Sequence, residues 1–207
     1  MSTVKLPSQF VNGSDDIVTD ELKTVSKANY DRLKYPQWAP TWEKKFENAF
    51  TNKDPFQHTD RGFFGDPAFE SLLANKSVET RPISPKLGTE VSGIQLSTLT
   101  DKQKDDLALL VEKRGVVIFR DQDLKDLSQE DILTWAKYFG PLHVHPTSWA
   151  PKGQPNFHMV FRREGTNEAQ QIYADKLNNI VFHSDVSYEL QPPGVTLLAM
   201  LQTDRID

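Results

Sequence analysis

Cysteine is absent from the 207 residues. That excludes disulfides, thiolate metal sites and cysteine nucleophiles, so any metal must be held by the five histidines and the carboxylates. Long apolar runs are also missing, and nothing approaches the roughly 18 continuous apolar residues of a membrane span. Positive charge is in deficit, with 24 Lys and Arg against 29 Asp and Glu and a net charge of -5. A broad phosphate-binding surface is therefore not expected, which argues against nucleic acid and membrane as partners. Neither G-x-G-x-x-G nor G-x-x-x-x-G-K-[ST] occurs, and no G-x-S-x-G elbow supports a serine hydrolase. The opening MSTVKLPSQFVNGSDD carries no apolar h-region and no Arg-rich amphipathic pattern, so a cytoplasmic location is the expectation. What is present, 37% hydrophobic and 26% charged residues, reads as a soluble globular chain with one sizeable core.

Three stretches differ in character. Residues 1–30 are polar and mixed in charge and read as a flexible leader. Residues 31–80 carry Tyr35, Trp38, Trp42, Phe46, Phe50, Phe56, Phe63 and Phe64 among Asp, Pro and Gly breakers. They are expected to form an irregular arm pinned by its rings. From residue 81 to 207 the pattern sharpens into a domain. VSGIQL alternates like a strand, with Gly88 and Gly93 as turn or bulge points. Thr100 is placed to cap a helix over DKQKDDLALLVEKR, whose acidic start and basic end suit the macrodipole, with Gly115 at its C′ position. VVIF then reads as a buried strand. Ser128 and Asp131 resemble a capping box opening QEDILTWAKYFG, closed by Gly140 and Pro141. LHVH, NFHMVFR, IVFHSDVSY and VTLLAML are expected to be strands. The whole reads as α+β, with a β-sandwich or barrel in its later part.

H-x-D occurs twice, and five His and eighteen Asp make the tripeptide uninformative alone. His58 lies among breakers and reads as a solvated loop residue. His183 and Asp185 follow an apolar run. On a strand they would share a face and offer one nitrogen and one hard oxygen, either to a metal or to each other. His143 and His145 form a second such pair, readable as cupin-type ligands, as a substrate-reading histidine with a packed neighbour, or as ordinary half-buried histidines. His158 reads as a sheet histidine.

Four ordered blocks, PKLGTEVSGIQLSTLT, RGVVIFRDQDL, AKYFGPLHVHP and FHSDVSYELQPPGVTLLAML, resemble the taurine dioxygenase type of Fe(II)/2-oxoglutarate-dependent dioxygenases. LKYPQWAPTWEKKFENAF and DPFQHTDRG further resemble the arm of the fungal sulfonate dioxygenases. The resemblance implies a double-stranded β-helix (jelly-roll) core, incomplete in this chain, with flanking helices and the aromatic arm. It implies Fe(II) bound by His183 and Asp185, a sulfonate contacted by His145 and Asn179, and 2-oxoglutarate and O2 as co-reactants. The implied reaction decarboxylates 2-oxoglutarate to succinate and oxidises taurine or another sulfonate to an aldehyde plus sulfite. Ser148, with Trp149 beside it, stands where taurine dioxygenase carries an aromatic residue. No histidine follows His183, and Arg205 is the one later arginine. The family's distal iron histidine, the Thr of its Gly-Gly-Asp-Thr turn and its 2-oxoglutarate arginine are thus unmatched. A C-terminally truncated chain, inactive alone and prone to homo-oligomeric association through sheet edges, is the expectation. A non-catalytic binding remnant and a cupin-like metal protein using His143 and His145 are the alternatives.

Overall fold

The computed structural model describes residues 16–47, 49, 54–145, 148–161 and 184–202. Among these, the residues up to 55 and from 143 onward make one compact unit, and residues 56–142 make another. This division departs from the expected one. Residues 56–80 belong with the helices and strands that follow them, because the RGFFGDP breakers strap that segment onto a helix instead of leaving it an irregular arm.

The first unit holds β1 (Ile17–Val18), β2 (Leu22–Thr24), α1 (Lys27–Tyr30) and β3 (Thr41–Glu43). The strands form one antiparallel sheet in the order β1-β2-β3, with Lys23 opposite both Val18 and Trp42. Residues 16–30 are therefore structured, and the start of the expected leader, 1–15, lies outside the described residues. Val25 and Trp38 are buried, and the Trp38 ring meets Phe157 edge to face at 4.9 Å. The expectation of ring anchors holds for Trp38 and fails in the second unit for Phe63, which is 83% exposed.

The second unit adds α2 (Glu70–Leu73), β4 (Glu79–Pro82), β5 (Thr89–Ser92), α3 (Asp101–Arg114), β6 (Val117–Phe119) and α4 (Gln129–Lys137). β5 lies between antiparallel β4 and parallel β6, and α3 is the crossover that the parallel pairing requires. Both α3 termini follow the sequence signals. The Thr100 hydroxyl accepts from the Gln103 amide, the Gln103 side chain faces back to the Thr100 amide, and Gly115 takes φ 68°. Ser128 caps α4 by accepting from the Asp131 amide. Gly93 is needed as glycine, since its φ is 80° and a Cβ there would lie 1.8 Å from the Ser77 carbonyl oxygen.

Leu72, Val91, Leu96, Leu99, Leu107, Leu110, Leu124 and Ile132 fill the core of this unit, each worth about 1.5–3 kcal/mol of burial. Within VVIF, Val116 is exposed and Val117–Phe119 are half-buried, because among the described residues β6 is an edge strand paired only with β5. Arg114, at the end of α3, ties down the β4–β5 turn. It donates to Thr89 Oγ1 at 2.7 Å and to the carbonyls of Ser84, Pro85 and Gly88.

After β6 the expected strands LHVH, NFHMVFR and VTLLAML are not strands among the described residues. A strand needs a ladder partner, and the only pairing there is an isolated bridge between Thr41 and Ala150. Leu198 and Met200 stand 79% and 69% exposed. Residues 180–183 of IVFHSDVSY lie outside the described residues, and Asp185–Tyr188 form a turn. The described architecture is α+β.

Candidate metal and substrate site

His143, His145, His158, Asp185 and Glu189 come together in the first unit. The segment carrying His143 and His145 is irregular, so the alternation that would place them on one strand face does not operate. Their rings sit 6.4 Å apart at 78° and take different partners. His143 shares a 2.8 Å contact between Nε2 and Glu189 Oε1, and its carbonyl accepts from Asn156 Nδ2 at 3.3 Å. That contact engages Nε2 of His143.

His145 faces His158 instead, with ring centroids 4.5 Å apart at 65°. Burial lowers the pKa of His145, and the neighbouring His158 and His143 lower it further, against the opposing fields of Asp185 and Glu189. Burial likewise lowers His158, again opposed by Asp185. His158 is not the expected sheet histidine. Its segment is held by Met159, whose amide donates to the Trp149 carbonyl at 2.9 Å, and by Phe157 on Trp38.

Asp185 is exposed and opens a turn. The next residue, Val186, is buried with φ 43°, a left-handed conformation that a β-branched side chain resists. The turn closes with the Glu189 amide donating to the Val186 carbonyl at 3.0 Å. His183 and Asn179, the other two site residues named from sequence, lie outside the described residues. Among the described residues no group of three or more His, Asp or Glu could hold a metal.

Asp185, the described member of the expected pair, is a hard oxygen donor of the kind an oxygen-activating metal takes. Its carboxylate is exposed. His58 is an exposed loop residue, as its surroundings suggest. Sequence reasoning missed Glu189 and the strained Val186. Neither SYELQ nor DVS carries a local signal for what tertiary packing does there.

A cavity of about 70 Å³ opens beside His145, with Ser148 and Trp149 in its wall. Its far wall is the N-terminal sheet, through Lys23, Trp42 and Glu43. The sheet is fixed there by reciprocal 2.8 Å bonds between the backbones of Thr41 and Ala150. Among the described residues, no helix is long and apolar enough to cross a membrane.

Residues 79–205 match the model of the taurine catabolism dioxygenase TauD, TfdA family. The chain is 35% identical over 198 residues to the alpha-ketoglutarate-dependent sulfonate dioxygenase of Saccharomyces cerevisiae, covering 94% of this chain and 48% of that protein. It is 38% identical over 172 residues to the alpha-ketoglutarate-dependent dioxygenase cnsM of Penicillium expansum, covering 82% and 46%. For cnsP of the same fungus the identity is 34% over 192 residues, covering 90% and 50%. The chain spans about half the length of the relatives it matches. With the HVH and H-x-D residues inside the matched span, the chain belongs to the TauD, TfdA family of dioxygenases.

Proposed function

We propose that this chain serves an Fe(II)- and 2-oxoglutarate-dependent oxidation of taurine or a related sulfonate, in the cytoplasm and on the double-stranded β-helix core its family implies. A sulfonate, 2-oxoglutarate and O2 would give an aldehyde, sulfite, succinate and carbon dioxide. The observation that carries the reading is the half-buried His145, set edge-on to His158 at 4.5 Å and lining a small cavity, in a chain similar over 94% of its length to a sulfonate dioxygenase. His183 and Asp185 would hold the iron, which supplies oxygen activation and leaves positions open for cosubstrate.

The protein's own groups do the rest. His145, whose burial disfavours the charged form, donates a hydrogen bond to a sulfonate oxygen and fixes the head group. His158 packs against that ring and restrains it. Glu189 holds His143 aside, and the Val186 turn sets the direction of the Asp185 carboxylate. Asn179 supplies a further polar contact on the substrate side. Orientation of this kind places the target C–H near the metal.

The test is sulfite release from taurine, with Fe(II), 2-oxoglutarate and air, by a protein in which this chain is joined to the part of the Saccharomyces cerevisiae relative that it does not cover; residues 1–207 alone, without the distal histidine and the 2-oxoglutarate arginine, are expected to release none. Asp185→Ala is expected to lower turnover by at least about a hundredfold, and His145→Ala to raise KM by about tenfold. Succinate formation without sulfite across a panel of sulfonates would overturn the substrate while keeping the dioxygenase.

A further inference from the structure

We propose that Lys23, carried by the N-terminal sheet, is a second anion-reading residue of the substrate pocket and works with His145 on the sulfonate head group. This deepens the sulfonate reading above and rests on it.

Lys23 lies mid-way along β2, and its half-buried side chain lines the same cavity as His145 and Ser148. Its ammonium rests over the Trp42 ring, 4.9 Å from the centroid, and makes no ion pair among the described residues. The two acids of the lining do not cancel it. Glu43 is engaged by Lys45 at 2.8 Å and accepts from the Gly153 amide. Glu47 is exposed, where water and salt screen its charge.

The chemistry asks for such a cation. An imidazole offers a sulfonate one hydrogen bond, whereas a monoanion leaving water for a cavity also needs a compensating charge. The cavity is too small for a drug-sized ligand, and its size suits a compact head group. The sheet is also rigidly apposed. Thr41 and Ala150 bond each other's backbones, so β2 and β3 stay registered against residues 148–150 beside His145. Ser148 is small where, by the resemblance, taurine dioxygenase carries an aromatic ring, leaving room for the longer lysine to reach the same head group. The N-terminal sheet thereby becomes part of the substrate site.

Titration calorimetry of the purified protein with ethanesulfonate tests this on wild type, Lys23→Gln, Lys23→Arg and His145→Ala. Lys23→Gln should weaken binding about tenfold, Lys23→Arg should stay within about threefold, and thermal midpoints should be unchanged. Wild-type affinity should also fall with added salt, and the Lys23→Gln variant should lose that dependence. Unchanged affinity in Lys23→Gln alongside weakened binding in His145→Ala overturns the role of Lys23 and leaves the sulfonate reading standing. Equal losses in Gln and Arg variants, with a lowered midpoint, mean a structural lysine and also overturn it. No ethanesulfonate binding by wild type overturns both.

Discussion

Asp106 has a side chain with no exposed surface and sits one residue from another buried acid, Asp105. Burial pushes its pKa up, but the Asp66 amide at 2.7 Å, the Ser71 hydroxyl at 2.5 Å and Lys102 at 3.3 Å outweigh that and hold it below the usual carboxylate range. The folded protein thus binds its proton more weakly than the unfolded chain, so stability rises with pH. The contribution is fully present above the unfolded value near 3.9 and is lost as pH falls through the folded one. Asp106→Asn should cost about 3 kcal/mol at neutral pH and flatten the acid limb of urea-unfolding stability below about pH 5. An unchanged acid slope in the variant would refute this origin. At the same scale, the site was only half legible. His145 and Asp185 stand out because imidazole and carboxylate chemistry is visible in the letters. Glu189, the strain at Val186 and the apposition of Lys23 are made by tertiary contacts between residues far apart in the chain, and no local pattern encodes them.

Elements were legible where their signals are local. α3 shows an N-cap, an acidic first turn, a basic last turn and a C′ glycine, each acting within a few residues, and it spans the residues those signals mark. The cap predicts its own test. Thr100→Ala removes the acceptor for the Gln103 amide and should cost about 1 kcal/mol by chemical denaturation, while Thr100→Ser should cost under half of that. Equal stability of Thr100→Ala and wild type would mean that tertiary packing alone sets the start of the helix. The strands expected after residue 141 failed for the opposite reason. Period-2 alternation marks a segment able to pair, but pairing is non-local, and the described residues there contain one isolated bridge. The 56–75 segment misled in the same way. Its Asp, Gly and Pro residues look like loop punctuation, yet they shape a strap. Arg61 bonds Asp105 at 2.8 Å and Tyr138 at 2.6 Å, and Gly65 lets the chain pass close over Leu109.

Across the molecule, apolar burial is unevenly distributed. Eight of the eleven buried apolar side chains among the described residues fall within 56–142, while Val25, Trp38 and Val186 serve the other unit. The larger core is also served by charge pairs internal to it, Arg61 with Asp105 and Lys102 with Asp106. The candidate site lies in the other unit, which has fewer buried apolar side chains among the described residues and an exposed tract at Leu197, Leu198 and Met200. Local opening costs least where few apolar contacts must break, so the two units should differ in amide protection. Hydrogen exchange on the whole protein is expected to show the amides of α3 and β5 as the slowest. Residues 195–200, without ladder bonds among the described residues, should exchange within seconds. A fragment of residues 56–142 should keep helical circular dichroism and melt in one cooperative transition, since the core named for it is complete within those limits. A fragment that melts without cooperativity, or equal protection in the two units, would show that the core of 56–142 depends on the rest of the chain.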